Sequence, residues 1–129
     1  MDGFYKGETA TALVRASQAG GGILTQADLD AYRVRELPPL ECDYRGFHIV
    51  SAPPPSSGGV VLCEMLNILE GYPLADYGWG SARAVHLEIE AMRHAYVDRN
   101  HLLGDPAFVN NPLSQLLDDK YAASIRASI

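Results

Sequence analysis

The residues whose types and spacing could bind a metal form a row along one predicted helix. His86, Glu90, His94 and Asp98 recur every four positions, and His101 follows His94 by seven residues. Imidazole and carboxylate groups are common metal ligands, but a four-residue step drifts by about 40° around a helix, so the first and fourth members lie about 120° apart. Three residues separate Glu90 from His94, which matches neither H-E-x-x-H nor E-x-x-H. We therefore interpret the row as a solvated or ion-paired face and predict no metal and no other cofactor.

A second candidate site is the segment Ser56-Ser57-Gly58-Gly59. Small residues at a helix start expose amide N–H groups that can hold a carboxylate or phosphate. The segment lacks the lysine of a phosphate-binding loop and the G-x-S-x-G pattern of serine hydrolases. A nucleophilic Ser56 would also need a base, and no histidine is close in sequence. We favour a plain helix cap with close backbone packing.

A third group, Asp98, Arg99 and Asp105, lies near the end of the predicted long helix. In a functional interpretation Asp98 would transfer protons and Arg99 would bind a carboxylate. In the structural alternative Asp98 pairs with Arg99 or neighbouring turns, and Asp105 opens a turn before Pro106. We favour the structural alternative, so the residues by themselves predict no catalytic site.

Three aromatic residues, Tyr72, Tyr77 and Trp79, cluster in a glycine-containing loop. They could form a platform for a sugar or a protein partner. Aromatic side chains that anchor a loop to the core are more common, and we favour that interpretation.

Helices must position most of these residues, and the apolar spacing predicts five or six of them. The long helix runs from Ser81 to about Leu103 with an apolar face made by Val85, Ile89, Met92 and Tyr96. Two shorter helices are predicted before the hairpin, one from Glu8 to about Ala19 and one from a capping box at Thr25–Asp28 to Tyr32. A third runs from Gly59 and ends with Gly71 as the C′ residue. The last starts with Asn111 as its cap and Pro112 as its first residue, and it continues through Tyr121 and Ile125.

A β-hairpin is predicted around Gly46, because apolar and polar residues alternate on both sides of it. Leu40, Cys42 and Tyr44 alternate with Glu41, Asp43 and Arg45 on the first strand, and the second strand continues through Phe47, Ile49 and Ser51. An isolated two-stranded hairpin is marginal in water, so we expect it to belong to a larger sheet.

The two cysteines, Cys42 and Cys63, lack the C-x-x-C spacing of a zinc or redox motif. Our default interpretation is two small buried thiols. A disulfide stays open, because the sequence does not place the two Cα atoms.

Composition restricts the class of protein. The chain has 129 residues, is 47% hydrophobic and carries 16 acidic against 10 basic residues, a net charge of −6. We expect one globular domain over residues 1–129 with no membrane-spanning segment, and we expect no nucleic-acid partner because no basic cluster is present.

Several motifs taken together resemble γ-glutamyltranspeptidase. Their order and spacing match this family across nearly the whole chain, and the Pro-Ser-Gly segment and the two motifs after it are the most specific. The matching segments are Gly21–Thr25, Asp28–Tyr32, Tyr44–Gly46, Pro53–Gly59, Asn67–Glu70, Ala95–Arg99 and Leu103–Pro106.

The resemblance implies a fragment of an N-terminal nucleophile hydrolase of α+β class, with an αββα sandwich in the whole enzyme and mostly helix plus one hairpin here. Such a precursor cuts itself into two subunits, and the new N-terminal threonine attacks the γ-glutamyl amide of glutathione. This chain is similar to the C-terminal part of the large subunit and ends at Ile129 before the cleavage junction. We therefore expect no catalytic residue and no activity in it alone. Its partners would be the rest of the large subunit and the small subunit, and its compartment the periplasm or the exterior.

An alternative is a free-standing helical interaction module that recruits a partner through its hairpin edge or an apolar stripe. Such a module should be a folded monomer with a cooperative melt. An excised piece of an enzyme should instead self-associate to cover its apolar faces.

Overall fold

The computed structural model describes residues 2–129, which form eight helices and one hairpin. The elements are α1 (Asp2–Tyr5), α2 (Gly7–Ala19), α3 (Gln26–Ala31), β1 (Leu40–Tyr44), β2 (Phe47–Ser51), α4 (Gly58–Glu70), α5 (Leu74–Tyr77), α6 (Ala82–Leu102), α7 (Leu113–Leu116) and α8 (Asp119–Arg126). The longer helices agree with the predicted ones. The helix predicted from Pro112 through Ile125 is instead divided into α7 and α8, with Leu117 and Asp118 between them. The additional helices α1 and α5 have four residues each, too few for apolar periodicity to reveal them.

The chain divides into two compact units, one up to Glu36 and one from Leu37 to Ile129. In the first unit, the predicted capping box at the start of α3 is confirmed: the Thr25 hydroxyl accepts from the Asp28 N–H, and the Asp28 carboxylate accepts from the Thr25 N–H at 2.8 Å. These bonds satisfy amides that a helix start leaves unpaired. One domain over residues 1–129 stays a prediction, since two compact units can belong to one domain.

In the second unit, α4 is the central element. Helices α6 and α8 and strand β1 all pack on it. One buried cluster joins Ile68 and Leu69 to residues of α6 and α8, and another joins Val60 and Cys63 to Leu40 and Leu116. The apolar residues of α4 are therefore buried on more than one side.

The hairpin has the predicted strands and turn. Strands β1 and β2 are antiparallel, with Leu40 opposite Ser51 and Tyr44 opposite Phe47. Gly46 has a φ of +83°, a value that glycine adopts without steric cost.

Cys42 of β1 and Cys63 of α4 form a disulfide, with Cα atoms 6.1 Å apart. The default prediction of two free thiols is therefore wrong, and the disulfide that the sequence left open is present. Its cause is the packing of β1 on α4, which brings together residues separated by 21 positions.

Helix α6 has its predicted bounds within one residue, but its buried side differs from the predicted one. Ala84, Leu87, Ala91 and Ala95 face the interior. Small side chains on this face allow close approach to α4. The predicted apolar face is largely exposed in this chain; Tyr96, for example, is 50% exposed.

Two helix-end predictions are wrong. Gly71 follows α4 with a φ of −73°, so it is not a left-handed C′ residue. A Cβ there would collide with the Arg126 side chain, whose Nη1 donates to the Asn67 carbonyl oxygen at 2.7 Å. Asn111 does not cap a helix either, because its side chain binds the N–H and carbonyl of Gly104, and Pro112 precedes α7 instead of starting it.

None of the helices in residues 2–129 is both long and apolar enough to cross a membrane.

Candidate functional site

The polar row of α6 separates into unrelated partnerships. Glu90 accepts a hydrogen bond from Arg93 at 2.6 Å, while the Nδ1 atom of His101 lies 2.8 Å from the Val97 carbonyl oxygen. Within the part of the chain that the structure describes, no group of three or more His, Cys, Asp or Glu residues could hold a metal ion. The predicted ion-paired face is therefore correct for Glu90, whereas Asp98 has a different environment.

Asp98 belongs to a polar cluster that joins three helices. The Tyr121 hydroxyl of α8 donates to Asp98 Oδ2 at 2.6 Å. Glu64 of α4 is only 1% exposed, and Asp98 helps to raise the pKa of its carboxyl group. We call Glu64, Asp98 and Tyr121 the carboxyl cluster.

The predicted pairing of Asp98 with Arg99 is wrong. Consecutive residues point about 100° apart around a helix, so these two side chains reach different neighbours. Asp98 turns towards α4 and α8, whereas Arg99 donates from Nε to Ser57 Oγ at 3.1 Å and from Nη1 to Asn100 at 2.8 Å.

Burial is the largest cause of the raised pKa values of Glu64 and Tyr121. It raises the pKa of Glu64 from 4.5 to about 8, with further contributions from the hydrogen bond to Asp98 and the charge of Asp98. Burial and Asp98 also raise the pKa of Tyr121 to about 12. At neutral pH a Glu64 carboxyl with a pKa of about 8 is mostly protonated and can donate a hydrogen bond, and Tyr121 is a phenol that donates to Asp98.

The carboxyl cluster can store a proton and connect helices, but Glu64 is too deeply buried to meet a substrate. Sequence analysis missed Glu64 and Tyr121. A signal for Glu64 was present, because it is an acid in the middle of α4 with apolar residues on both sides, and acidic residues are rarely buried without a partner. The partner itself comes from α6, which sequence spacing on α4 cannot indicate.

The Ser56–Gly59 segment is not capped as predicted. Ser57 already has helical torsions, φ −86° and ψ −13°, and its side chain makes no capping bond. Its hydroxyl accepts instead from Arg99, a cation that cannot act as a general base. The predicted close packing is confirmed at Gly59, where a Cβ would lie 2.8 Å from the Ala52 carbonyl oxygen.

A polar cleft of about 250 Å³ opens beside this contact, lined by Pro55, Ser57, Arg99, Asn100, Leu103, Gly104 and Asp105. Asp105 opens the predicted turn, since its Oδ1 accepts from the Ala107 N–H at 2.9 Å. Both contacts are therefore structural: the Arg99 contact holds the end of α6 against the start of α4, and the Asp105 contact closes a local turn.

The aromatic loop is partly an anchor. Tyr72 and Tyr77 pack on the core, and the Arg83 guanidinium lies 4.1 Å from the centre of the Tyr77 ring. Trp79 is fully exposed, so the anchoring prediction is wrong for it. It stands between Gly78 and Gly80, which both have positive φ.

The match to known proteins extends over the whole chain. A family model described as Gamma-glutamyltranspeptidase matches residues 1–129. The chain belongs to this family.

This chain is similar to known proteins in both sequence and fold. A "Glutathione hydrolase proenzyme" of Pseudomonas sp. (strain A14) is 70% identical over 99% of this chain, and an "Acylase ACY 1 proenzyme" of Pseudomonas sp. (strain SE83) is 46% identical over 99%. The crystal structure of Helicobacter pylori gamma-glutamyltranspeptidase matches 99% of the chain with a TM-score of 0.90 and 40% identity.

The chain spans only part of these proteins: 22% and 23% of the two proenzymes and 37% of the H. pylori chain. The predicted class, a mostly helical α+β fragment of this hydrolase fold with one hairpin, is confirmed by the observed elements and by the structural match.

Proposed function

We propose that this chain is a segment of an enzyme that transfers the γ-glutamyl group of glutathione or a related amide to water or to an amine. The observation that carries the proposal is the 70% identity to a glutathione hydrolase proenzyme along 99% of the chain. The fold agreement with a γ-glutamyltranspeptidase at a TM-score of 0.90 supports it independently.

The nucleophile of that enzyme lies outside these residues. An N-terminal threonine is activated by its own α-amino group, whose ordinary pKa of about 7.7–8.0 suits a base near neutral pH. Ser56, the serine weighed as a nucleophile, is exposed and has no base among the side-chain hydrogen bonds of the described residues, and both cysteines are bonded to each other. These residues therefore form part of the scaffold and supply no catalytic group.

The scaffold role requires the rest of the large subunit and the small subunit as partners. The exposed apolar row of α6 supports this requirement, because rows of large apolar residues on a surface mark contacts with other protein. The hairpin supports it as well, since two strands alone are marginally stable. Without those partners the isolated chain self-associates through the same surfaces.

Export to the periplasm or the exterior is supported by the disulfide between Cys42 and Cys63, because such bonds persist in oxidising compartments.

A second substrate class is favoured by one observation, the 46% identity to an acylase proenzyme. A γ-glutamyl group differs from a glutaryl group only by its α-amino substituent. A γ-glutamyl anilide and a glutaryl anilide are therefore matched substrates that separate a γ-glutamyl enzyme from a broader acylase.

The test compares the purified 129-residue chain with the product of the complete reading frame that contains it, using both anilides. We expect no turnover by the chain alone and preferential release from the γ-glutamyl anilide by the complete product. Turnover by the chain alone would contradict the scaffold role. Preferential release from the glutaryl anilide would replace the γ-glutamyl assignment with the acylase one.

A further inference from the structure

The buried end of the carboxyl cluster has an unusual feature. Oε1 of Glu64 makes no hydrogen bond in the described part of the chain, although the side chain is 1% exposed. An ionised carboxylate in that position would be both desolvated and short of donors, which is costly. A neutral carboxylic acid needs fewer partners and can donate one hydrogen bond of its own.

We propose that Glu64, Asp98 and Tyr121 form a proton-dependent clamp in which one proton held between the two carboxyl groups keeps α4, α6 and α8 together. The proton lies on Glu64 and is donated to Asp98, while the Tyr121 hydroxyl donates to Asp98 from the other side. When the proton leaves to solvent, two carboxylates face each other and the bond between α4 and α6 becomes a repulsion. The clamp then loosens. Glu64 of α4 no longer holds Asp98 in place as the acceptor of the Tyr121 hydroxyl on α8.

The other charged groups that contact α4 from neighbouring elements do so near the ends of the helix, away from Glu64. Arg99 binds Ser57 at the start of α4, and Arg126 binds the Asn67 carbonyl near its end. The backbone N–H of Arg45, in the hairpin turn, donates to the Glu70 carboxylate. On the hairpin, His48 pairs with Asp43 and lies 3.7 Å from Glu41, all on exposed positions. None of these contacts supplies a positive charge to the carboxyl cluster.

The direction of the pH effect follows from the raised pKa of Glu64, about 8 in the folded chain against 4.5 ordinarily. A group with a raised folded pKa stabilises the fold fully below its unfolded pKa and loses that effect as pH rises through the folded pKa. The unfolding equilibrium constant therefore increases with pH between about 4.5 and 8, by up to about tenfold per pH unit.

The test is urea unfolding of the full chain from pH 5 to pH 9, followed by circular dichroism, for the unaltered chain, Glu64→Gln and Glu88→Gln. Glutamine keeps the shape and the donor of the protonated acid but cannot ionise. We expect Glu64→Gln to flatten the pH dependence. Glu88→Gln is the matched control, an exposed glutamate on α6, and should keep the original dependence.

Infrared spectroscopy of the chain labelled with ¹³C-glutamate gives a readout that does not require the variant to fold. In the unaltered chain we expect the C=O band of a protonated glutamic acid at pH 7 and its loss near pH 8. Where Glu64→Gln folds, the band should be absent. A band lost near pH 4.5 would overturn the clamp, and so would a Glu64→Gln chain with the original pH dependence.

Discussion

The two compact units of this chain differ in the hydrogen bonds that stabilise each of them internally. In the unit up to Glu36, most hydrogen bonds that involve side chains or loops join near neighbours, such as Thr25 with Asp28 and the Gly22 N–H with the Ser17 carbonyl. In the unit from Leu37 to Ile129, bonds span large sequence separations: Asn67 donates to the Leu117 carbonyl, 50 residues away. The first unit can therefore lose one contact locally, whereas the second depends on contacts that form together.

A core truncation should break the second unit most severely. Leu116 is fully buried in the cluster with Leu40, Val60 and Cys63. Leu116→Ala should lower the free energy of unfolding by about 2–5 kcal/mol, because it removes buried methyl groups and leaves a cavity. The measurement is urea unfolding of the full chain.

Its matched control is Leu37→Ala in the same unit, at a leucine that is 46% exposed. That change should cost about 0.5 kcal/mol or less. Equal losses for both variants would show that the Leu116 cluster is not the core of the unit.

Loss of the disulfide should have the next largest effect. Cys42 and Cys63 close a loop of 21 residues, so their bond should contribute about 3 kcal/mol by restricting the unfolded chain. Reductant should lower the urea midpoint of the natural sequence and leave that of a Cys42→Ser, Cys63→Ser double variant unchanged. A midpoint insensitive to reductant in both chains would refute this contribution.

Removing helix caps should have the smallest effect on the free energy of unfolding, and it should distinguish the behaviour of the two units most clearly. Thr25→Ala and Asp118→Ala each remove a side-chain cap and should each cost about 1 kcal/mol. The comparison predicts that Thr25→Ala raises amide exchange in α3 alone. Asp118→Ala should raise exchange in α8 and in α4, which packs on it. Exchange confined to α8 in the second variant would argue against a cooperative second unit.

Local signals in the sequence were sufficient for much of the fold. The Thr25–Asp28 box, the alternation around Gly46 and the apolar spacing of α4 each depend on residues within one element, so they could be read directly. The buried face of α6 could not, because Val85 and Ile89 are as apolar as the alanines that α4 actually covers. Which side is buried depends on the partner helix.

The carboxyl cluster and the disulfide share that limitation. Each joins residues from different elements, and neither the 21-residue separation of the cysteines nor the 34-residue separation of Glu64 and Asp98 carries a local pattern. The Asp98–Arg99 pairing was inferred from adjacency, which on a helix directs two side chains apart.

The scaffold role is tested most directly by the intact mass of the products obtained when the complete reading frame containing residues 1–129 is expressed. The account predicts two fragments, with this chain inside the larger one and the smaller beginning with threonine. A single uncut product without γ-glutamyl anilide turnover would contradict it and favour the free-standing interaction module instead.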